Sequence, residues 1–519
     1  MKKSELFKAV AKETNSTVTT NGMAAYKSTL DANLDLFFQG PACRNQIDNF
    51  INYLDAAWSE DPLMALRCLF YFRDIRGNGI GQGERKIFRE GLRHIAKINP
   101  DIVIKNIKYI PFFGRWDDVI SLLNINSKID EEIKNIVTTQ FRMDIDAIKN
   151  GKPVSLLGKW LPSCNTSSKK TRELSKQVRH IIFNDMSEKT YRKTLSILRK
   201  AIDIIETHLS KKEYNFDYSK IPGKAALKYV KAFCRNDNER YTKYREALAE
   251  ALRNPEVKSD VKFNASTFSP ADIIKKMYGN INNLFYNQDI AKTNKDIADS
   301  AWRSLPNYFG EEKHRNWLAI ADNSGSMTMD NGAPLFNAVG MALYIAERNE
   351  GIFKDQVISF SDEPKFITVD SSLPLYDRAK KIVEDEHYST DLMAVFTLLL
   401  NTAAKAGISQ RDMPEAIVII TDCQFNATDY GGICCNCNKS SFEQIKKMYH
   451  RAGYEMPKLV YWNASTRDYA NMPITVNDFG VILASGNKPG MFRQILSNAK
   501  PDRFMQDILN DERYQVISL

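Results

Sequence analysis

The sequence predicts a multidomain protein in which an α-helical solenoid, residues 1–305, is followed by a doubly wound α/β domain, residues 306–519. Two patterns support this fold class. Amphipathic helices recur along the first part with little strand-like alternation, which is typical of stacked helix pairs. After residue 305, short and fully apolar segments alternate with helical patterns, which is typical of a parallel sheet covered by helices on both faces.

The helical part is predicted from apolar stripes. Ile47, Phe50, Ile51 and Leu54 have the i, i+3, i+4, i+7 spacing of one helix face. Pro62 suits the first turn of the next helix. The stripes follow no clean period, so any repeats are degenerate, and the sequence leaves open whether the helices close into a ring.

The α/β part contains five apolar segments that we interpret as strands: residues 317–321, 356–360, 416–420, 459–462 and 481–483. Helical patterns separate most of them. Asp322 directly follows the first of these segments, and Asp422 lies just after the third. In this fold class ligands bind at the carboxyl ends of the strands, so both acids are expected on one rim of the sheet.

A short motif after the first strand suggests a metal site. Asp322, Ser324 and Ser326 alternate in a strand-to-helix loop, where one carboxylate and two hydroxyls can converge on a hard cation such as Mg²⁺ or Mn²⁺. The motif resembles the D-x-S-x-S signature of the metal-ion-dependent adhesion site (MIDAS) in von Willebrand factor A (vWA) domains. That resemblance implies Thr390 and Asp422 as further ligands, and a partner's Asp or Glu to complete the metal shell. The alternative is a loop that merely caps a helix.

Charge is unevenly distributed along the chain. Residues 1–300 hold 50 Lys and Arg against 36 Asp and Glu, whereas residues 301–519 hold 22 against 27. Any polyanion such as RNA is therefore expected on the first part. The candidate RNA-binding residues are Lys169, Lys170, Arg172, Lys176, Arg179, Arg192 and Lys193. A solvated helix face is the other interpretation of this basic stretch.

Helical repeats followed by a vWA domain resemble the TROVE-domain, Ro autoantigen-like proteins, and more closely a related group of uncharacterised TROVE-like proteins with vWA domains. The segments that carry this resemblance are residues 65–77, 114–118, 158–162, 217–222, 452–457 and 460–463. The resemblance implies HEAT-like repeats that bind small structured or misfolded RNA. It also implies a ribonucleoprotein component whose vWA domain docks a protein.

Two other function classes stay open. One is a protein-only adaptor, in which the helical part binds protein and the basic stretch is plain surface. The other is a metal-dependent hydrolase, which lacks paired carboxylates for a second ion and an obvious general base, so we expect no enzymatic activity. The sequence also lacks a signal peptide and an apolar run long enough to span a bilayer, which predicts a cytoplasmic protein without membrane contact.

Two further motifs are weak. Gly77, Gly79, Gly81 and Gly83 do not have the spacing of a phosphate-binding loop and are expected to form a helix connector, although Arg73, Arg76 and Arg85 around them could contact nucleic acid. Cys434, Cys435 and Cys437 could offer thiolates to zinc, but no distant Cys pair completes the site, and a loop of free thiols is the expected state.

Overall fold

A computed structural model describes residues 14–77, 80–254, 259–285, 290–309, 316–360, 363–384, 391–425, 441–465, 471–476, 478, 480–495 and 500–519. These residues divide into two compact units. Unit 1 consists of the described residues within Met1–Asp61 and Phe263–Asp511, and unit 2 of those within Pro62–Lys262 and Glu512–Leu519. Most of the described residues are helical, and a six-stranded mixed sheet lies in the C-terminal part of the chain.

This division differs from the predicted boundary at residue 305. Residues of the N-terminal segment bond to the loops at the end of the sheet, as in the pairing of Tyr26 with Met472. Residues after 263 form helices that pack on the long helix of the α/β fold, so that a Cβ atom at Gly340 would lie 2.8 Å from the backbone of Ala271. The α/β unit is thus built from two separate stretches of the sequence.

Unit 1 contains eight described strands. The strands are β1 Ser16–Val18, β2 Ala24–Tyr26, β3 Trp317–Ala321, β4 Gln356–Ser359, β5 Phe366–Thr368, β6 Ala416–Thr421, β7 Lys458–Asn463 and β8 Val481–Ser485. The first two form an antiparallel hairpin, and the other six form one sheet in the order β5-β4-β3-β6-β7-β8. Every residue of β3, β6 and β8 is buried, as expected for a sheet covered on both faces.

The sheet is mixed, whereas the sequence predicted a parallel one. Strands β4, β3, β6, β7 and β8 are parallel to one another, but β5 pairs antiparallel with β4. Only residues 360–365 separate β4 from β5, and a parallel return needs a crossover of a dozen residues or more. A short connection therefore forces the antiparallel edge.

The helices of unit 1 flank this sheet. They are α1 Ala32–Gln39, α2 Ile47–Glu60, α16 Pro270–Tyr278, α17 Ile281–Phe285, α18 Lys292–Arg303, α19 Met329–Arg348, α20 Leu375–Val383, α21 Leu392–Ala406, α22 Ser441–Arg451, α23 Phe492–Ile495 and α24 Pro501–Leu509. The start of α19 bends, because Asp330, Asn331 and Gly332 have φ of 53°, 57° and 74°. Regular helix begins after this bend, with Pro334 in its first turn.

Unit 2 is helical in its described part. Its helices are α3 Pro62–Arg73, α4 Lys86–Ile98, α5 Pro100–Asn106, α6 Ile110–Phe113, α7 Trp116–Ile120, α8 Ser127–Lys149, α9 Leu157–Trp160, α10 Lys169–Ile181, α11 Glu188–Ile202, α12 Ile205–Lys211, α13 Gly223–Lys228, α14 Val230–Asn236 and α15 Asn238–Arg253. Short connections join most neighbours, and Ile129, Ile133 and Val137 on α8 are buried.

The C-terminal residues of the chain complete unit 2. Arg513 forms an ion pair with the buried Asp74, and the hydroxyl of Tyr514 donates to the same carboxylate over 3.1 Å. The ring of Tyr514 stacks on Phe113 with centroids 5.6 Å apart. The last residues of the sequence therefore belong to the core of the helical unit.

Two findings concern membrane-spanning helices and the state of the cysteines. Across the described ranges, no helix combines the length and the apolar character needed to cross a bilayer. The five cysteines in these ranges, Cys43, Cys68, Cys164, Cys234 and Cys423, are free, as expected for structural thiols.

Candidate metal centre

The candidate site lies where the direction of the sheet reverses. The chain runs from β3 outward to β4 and β5, and then returns to place β6 on the other side of β3. The crevice at such a switch point, at the carboxyl ends of the strands, is where open α/β sheets bind ligands. Asp322 follows β3 and Asp422 follows β6. The predicted adjacency of these two acids is therefore met by the strand order.

Asp322 is held by three hydrogen bonds, two to β6 and one to its own loop. Its backbone N–H donates to the carbonyl oxygen of Ile420 over 3.0 Å, which extends the β3–β6 ladder. Its Oδ2 accepts from the hydroxyl of Thr421 over 2.6 Å, and its Oδ1 accepts from the N–H of Ser324 over 2.9 Å. Asp322 is fully buried. The orientation of this side chain is thus fixed within the protein.

The two predicted hydroxyl ligands lie together. Ser324 Oγ and Ser326 Oγ are 3.0 Å apart, on either side of Gly325. Ser324 is the N-cap of the single 3-10 turn Gly325–Thr328, and Ser326 lies within that turn. Hydroxyl and carboxylate oxygens in such proximity are the hard donors that Mg²⁺ and Mn²⁺ prefer.

Burial and like charge act together on Asp322. Burial raises the pKa of Asp322, the neighbouring Asp422 raises it too, and the hydrogen bonds from Thr421 and Ser324 oppose both, with a net pKa of about 6. Asp422 is itself 4% exposed. Two carboxylates in one desolvated pocket repel each other, and a divalent cation between them would remove that repulsion.

Thr390, the remaining predicted ligand, lies outside the described residues. Asp391 caps α21, where its Oδ1 accepts from the N–H of Ala394 over 2.9 Å. Asp330 lies in the bend at the start of α19. Cys434, Cys435 and Cys437, the zinc candidates, are also outside the described residues.

The chemistry of the site is that of oxygen donors. Within the described ranges, no group of three or more His, Cys, Asp or Glu side chains is arranged to hold a metal ion. Asp322 and Asp422 contribute two carboxylates, and the serines add hydroxyls. The residues present therefore suit a hard cation that keeps water or a partner's carboxylate in its shell.

Sequence reasoning missed two residues at this site. Thr421 ends β6, and its hydroxyl both donates to Asp322 and accepts from the N–H of Cys423 over 3.1 Å. Gln424 bonds to Asp422 through its backbone N–H over 3.2 Å. The sequence contained one indication of the role of Thr421. It directly precedes Asp422 at the end of an apolar segment, and a hydroxyl at that position can reach the neighbouring strand.

The predicted RNA-binding residues lie on two consecutive helices of unit 2. Lys169, Lys170, Arg172, Lys176 and Arg179 are on α10, and Arg192 and Lys193 are on α11. All except Arg179 are exposed.

Part of this basic stretch is engaged locally. Arg172 Nη1 donates to the carbonyl oxygens of Thr166 and Ser167 over 2.6 and 2.9 Å. Arg179 Nη1 donates to Met186 O over 3.2 Å, and Lys176 pairs with Glu173 over 3.4 Å. Each of these three residues is thus anchored within its own helix or to an adjacent turn.

Three of the segments singled out in the sequence meet within unit 2. Arg73, from residues 65–77, is 1% exposed and forms an ion pair with the buried Asp118 over 2.7 Å. Arg115, in residues 114–118, lies over the ring of Trp160, in residues 158–162, with its Cζ 4.5 Å from the centroid. These segments therefore build one cationic and aromatic junction.

Arg115 is a partly buried cation of that junction, close to other guanidinium groups. Burial lowers the pKa of Arg115, and the nearby charges of Arg73 and Arg85 lower it further against the opposing effect of Asp117 and Asp118. An anion beside Arg115 would offset the repulsion among the guanidinium groups.

Comparisons with known proteins cover nearly the whole chain. The family model described as Domain of unknown function (DUF2828) matches residues 19–144 and 130–311, more than half of the 519 residues. Domain of unknown function (DUF7788) matches residues 316–516. The Uncharacterized protein L728 of Acanthamoeba polyphaga mimivirus is 27% identical over 522 residues, which is 93% of this chain and 85% of that protein.

Proposed function

The chain belongs to the family of the Domain of unknown function (DUF2828), and from its own residues we propose that it is a docking protein whose α/β unit binds a partner through a divalent metal ion. Mg²⁺ or Mn²⁺ is held by Asp322, Ser324, Ser326 and Asp422, with Thr390 as a further ligand. The observation that carries the proposal is the convergence of Asp322 and Asp422 at the switch point between β3 and β6.

The surroundings of Asp322 support this assignment. A buried carboxylate normally has a cationic partner, because an isolated buried charge is costly. The charged neighbour that acts on Asp322 is another carboxylate, Asp422, and the bonds that it accepts come from neutral donors, Thr421 and Ser324. This is the arrangement expected of a pocket that takes its positive charge from an ion.

We propose docking rather than catalysis. The metal would supply an open coordination position for a carboxylate of the partner, in the manner of the vWA domains that the motif resembles. A hydrolase would need a general base within hydrogen-bond reach of a metal-bound water, and the acids of this site are themselves the proposed ligands. The helical unit would act as a HEAT-like scaffold.

Manganese titration of the full chain tests the proposal. We expect Mn²⁺ to bind the wild-type protein, and Asp322→Ala to lose binding while keeping the circular-dichroism spectrum. Asp412→Ala is the matched control, since Asp412 lies before the amino end of β6, whereas Asp422 follows its carboxyl end. Acetate protons should relax faster in the presence of Mn²⁺-loaded wild-type protein than in the presence of either component alone, which reports the open position. Absence of Mn²⁺ binding by the wild-type protein would overturn the assignment.

RNA binding by the helical unit is a second candidate function, and one specific observation favours it. The guanidinium of Arg115 lies on the ring of Trp160, with Lys159 Nζ 5.9 Å from the same ring. Cationic groups on an aromatic surface can contact phosphates and stack with bases. The exposed lysines of α10 and α11 would add sequence-independent contacts. Small structured or misfolded RNA is the proposed ligand.

A salt titration separates this candidate from a protein-only adaptor. A fluorescent single-stranded RNA should bind the full chain at low salt and lose affinity as salt rises, because released counterions drive the association. Arg115→Ala should weaken binding more than Arg172→Ala, whose guanidinium already bonds to Thr166 and Ser167. If the wild-type chain does not bind RNA at low salt, the adaptor interpretation remains.

A further inference from the structure

We propose that the hairpin β1–β2 is a positioning element of the metal site, and that Asn21 in its turn fixes the loop Asp422–Phe425 for metal binding. The inference rests on the proposed metal-dependent function. It adds residues from the opposite end of the sequence to a site that the motif alone places within residues 322–422.

The turn of the hairpin forms hydrogen bonds with two consecutive residues of the loop, Gln424 and Phe425. Thr19 donates from its hydroxyl to Phe425 O over 2.6 Å, and Asn21 Nδ2 donates to Gln424 O over 2.7 Å. The N–H of Thr20 donates to Gln424 Oε1 over 2.9 Å. Three successive residues of the hairpin thus donate hydrogen bonds to two backbone carbonyls of the loop and to the side chain of Gln424.

The same loop holds Asp422. Gln424, which is 3% exposed, donates from its backbone N–H to Asp422 Oδ1 over 3.2 Å. Cys423 between them has a φ of 62°, a left-handed conformation that a residue with a side chain adopts only when its surroundings impose it. The contacts of the hairpin to Gln424 and Phe425 supply that constraint on one side of the bend, and Thr421 supplies it on the other.

The hairpin is itself anchored away from the loop. Tyr26 and Met472 exchange backbone hydrogen bonds of 2.9 and 2.8 Å, and the N–H of Val476 donates to Thr29 O over 2.8 Å. Further along, Gln39 Oε1 accepts from Asn463 Nδ2 at the end of β7 over 2.9 Å. The turn Thr19–Asn21 is therefore a fixed support, against which the loop is placed.

Orientation of a ligand by such outer contacts governs metal affinity. Removing a group that orients a ligand typically lowers affinity about 10- to 100-fold. Asn21 acts through Gln424, one step further out, so we expect a loss of about tenfold, the low end of this range. By linkage, the metal must favour docking of the hairpin by the same factor.

Mn²⁺ affinity of the full chain measures the effect. Asn21→Ala removes an exposed side chain, so the variant should fold, and Thr19→Val removes the other donor. The control is Asn316→Ala, which also loses amide hydrogen bonds to backbone carbonyls, those of Asp412 and Met413. Asn316 precedes β3, at the amino ends of the strands and away from the proposed metal site. We expect weaker Mn²⁺ binding in both hairpin variants and unchanged binding in the control, even if the control unfolds at a lower temperature.

Hydrogen exchange tests the reciprocal effect. Amides of residues 19–26 should exchange more slowly in wild-type protein with Mn²⁺ than without it, and Asp322→Ala should remove this difference. If the wild-type protein binds Mn²⁺ and both hairpin variants bind it equally well, the hairpin has a structural role alone and the inference is wrong. If the wild-type protein does not bind Mn²⁺, the proposed metal site itself fails.

Discussion

The hydroxyl of Thr421 donates to Asp322 Oδ2 over 2.6 Å and joins the ends of two neighbouring strands that are 99 residues apart in sequence. The same oxygen accepts from the N–H of Cys423 over 3.1 Å, so its single proton is directed to the carboxylate. One side chain thereby orients the central acid of the site and the backbone that leads to the second acid.

Thr421→Val should weaken metal binding by about 10- to 100-fold, because Asp322 loses the donor that orients it. The valine keeps the shape and the β-branch, so the strand should persist. Thr368→Val is the matched control, since Thr368 lies on the edge strand β5 and its hydroxyl donates to Gln356 of β4 instead. Mn²⁺ titration of both variants measures the difference. Equal affinities would show that Thr421 has no influence on the ligand.

Two glycines of unit 1 should differ in how much stability their replacement by alanine costs. A Cβ at Gly340 would lie 2.8 Å from the backbone of both Pro270 and Ala271, so Gly340→Ala should cost about 1–3 kcal/mol by separating α19 from α16. A Cβ at Gly325 meets nothing within 4 Å, so Gly325→Ala should change stability by less than about 0.5 kcal/mol. Chemical denaturation of the two variants checks both expectations, and similar losses would contradict the packing described for α19.

Asp118 should be among the most sensitive acids of unit 2. Its carboxylate accepts from Arg73 Nε and Arg89 Nε, each over 2.7 Å, and Arg73 is almost fully buried. Asp118→Asn leaves that guanidinium without its counter-charge, at a cost of about 3–5 kcal/mol. Asp146→Asn, which removes a partner of the exposed Lys149, should cost less than about 1 kcal/mol. Thermal unfolding measured by circular dichroism compares the two variants, and equal shifts in midpoint would refute the argument from burial.

Asp35 should make unit 1 less stable as the pH rises. Burial raises the pKa of Asp35 from its ordinary value of 3.8 to about 6, against the lowering effect of bonds from Ser28 and Thr29. The unfolded chain therefore releases this proton at a lower pH than the folded protein does, and stability falls between pH 4 and pH 6 by roughly 3 kcal/mol in total.

Asp35→Asn removes this titration and supplies the comparison. Between pH 4 and pH 7 the wild-type protein should lose stability relative to the variant, whatever the absolute difference at either pH. Melting temperatures at both pH values measure it. Parallel pH profiles would mean that the pKa of Asp35 in the folded protein stays near its ordinary value.

The main elements of the α/β fold could be predicted from local pattern. The strand at residues 317–321 was predicted with the bounds that it has, and Asp322 and Asp422 were expected on one rim because apolar segments precede them. These features depend on neighbouring residues, and the period of apolar side chains reports them directly.

The hairpin and the outer contacts could not be predicted in this way. β1 and β2 have three residues each, too few for an alternating pattern to stand out. Asn21 and Gln424 are separated by 403 residues, and nothing in either local sequence points to the other. The placement of residues 14–61 in the α/β unit follows from such long-range pairs, which is why the predicted boundary at residue 305 differs from the observed units.

The order of synthesis gives the hairpin an unusual schedule. Thr19 leaves the ribosome early, but Phe425, its partner, is made 406 residues later. At a synthesis rate of about 5–20 residues per second, the loop that the hairpin supports is made roughly 20–80 s after the hairpin. The whole of residues 62–262 is translated in that interval, so most of the helical unit is made while the first residues of the α/β unit are still unpaired, and its C-terminal residues Glu512–Leu519 follow later. A gene fragment that starts at residue 316 would produce the sheet without this early-made support.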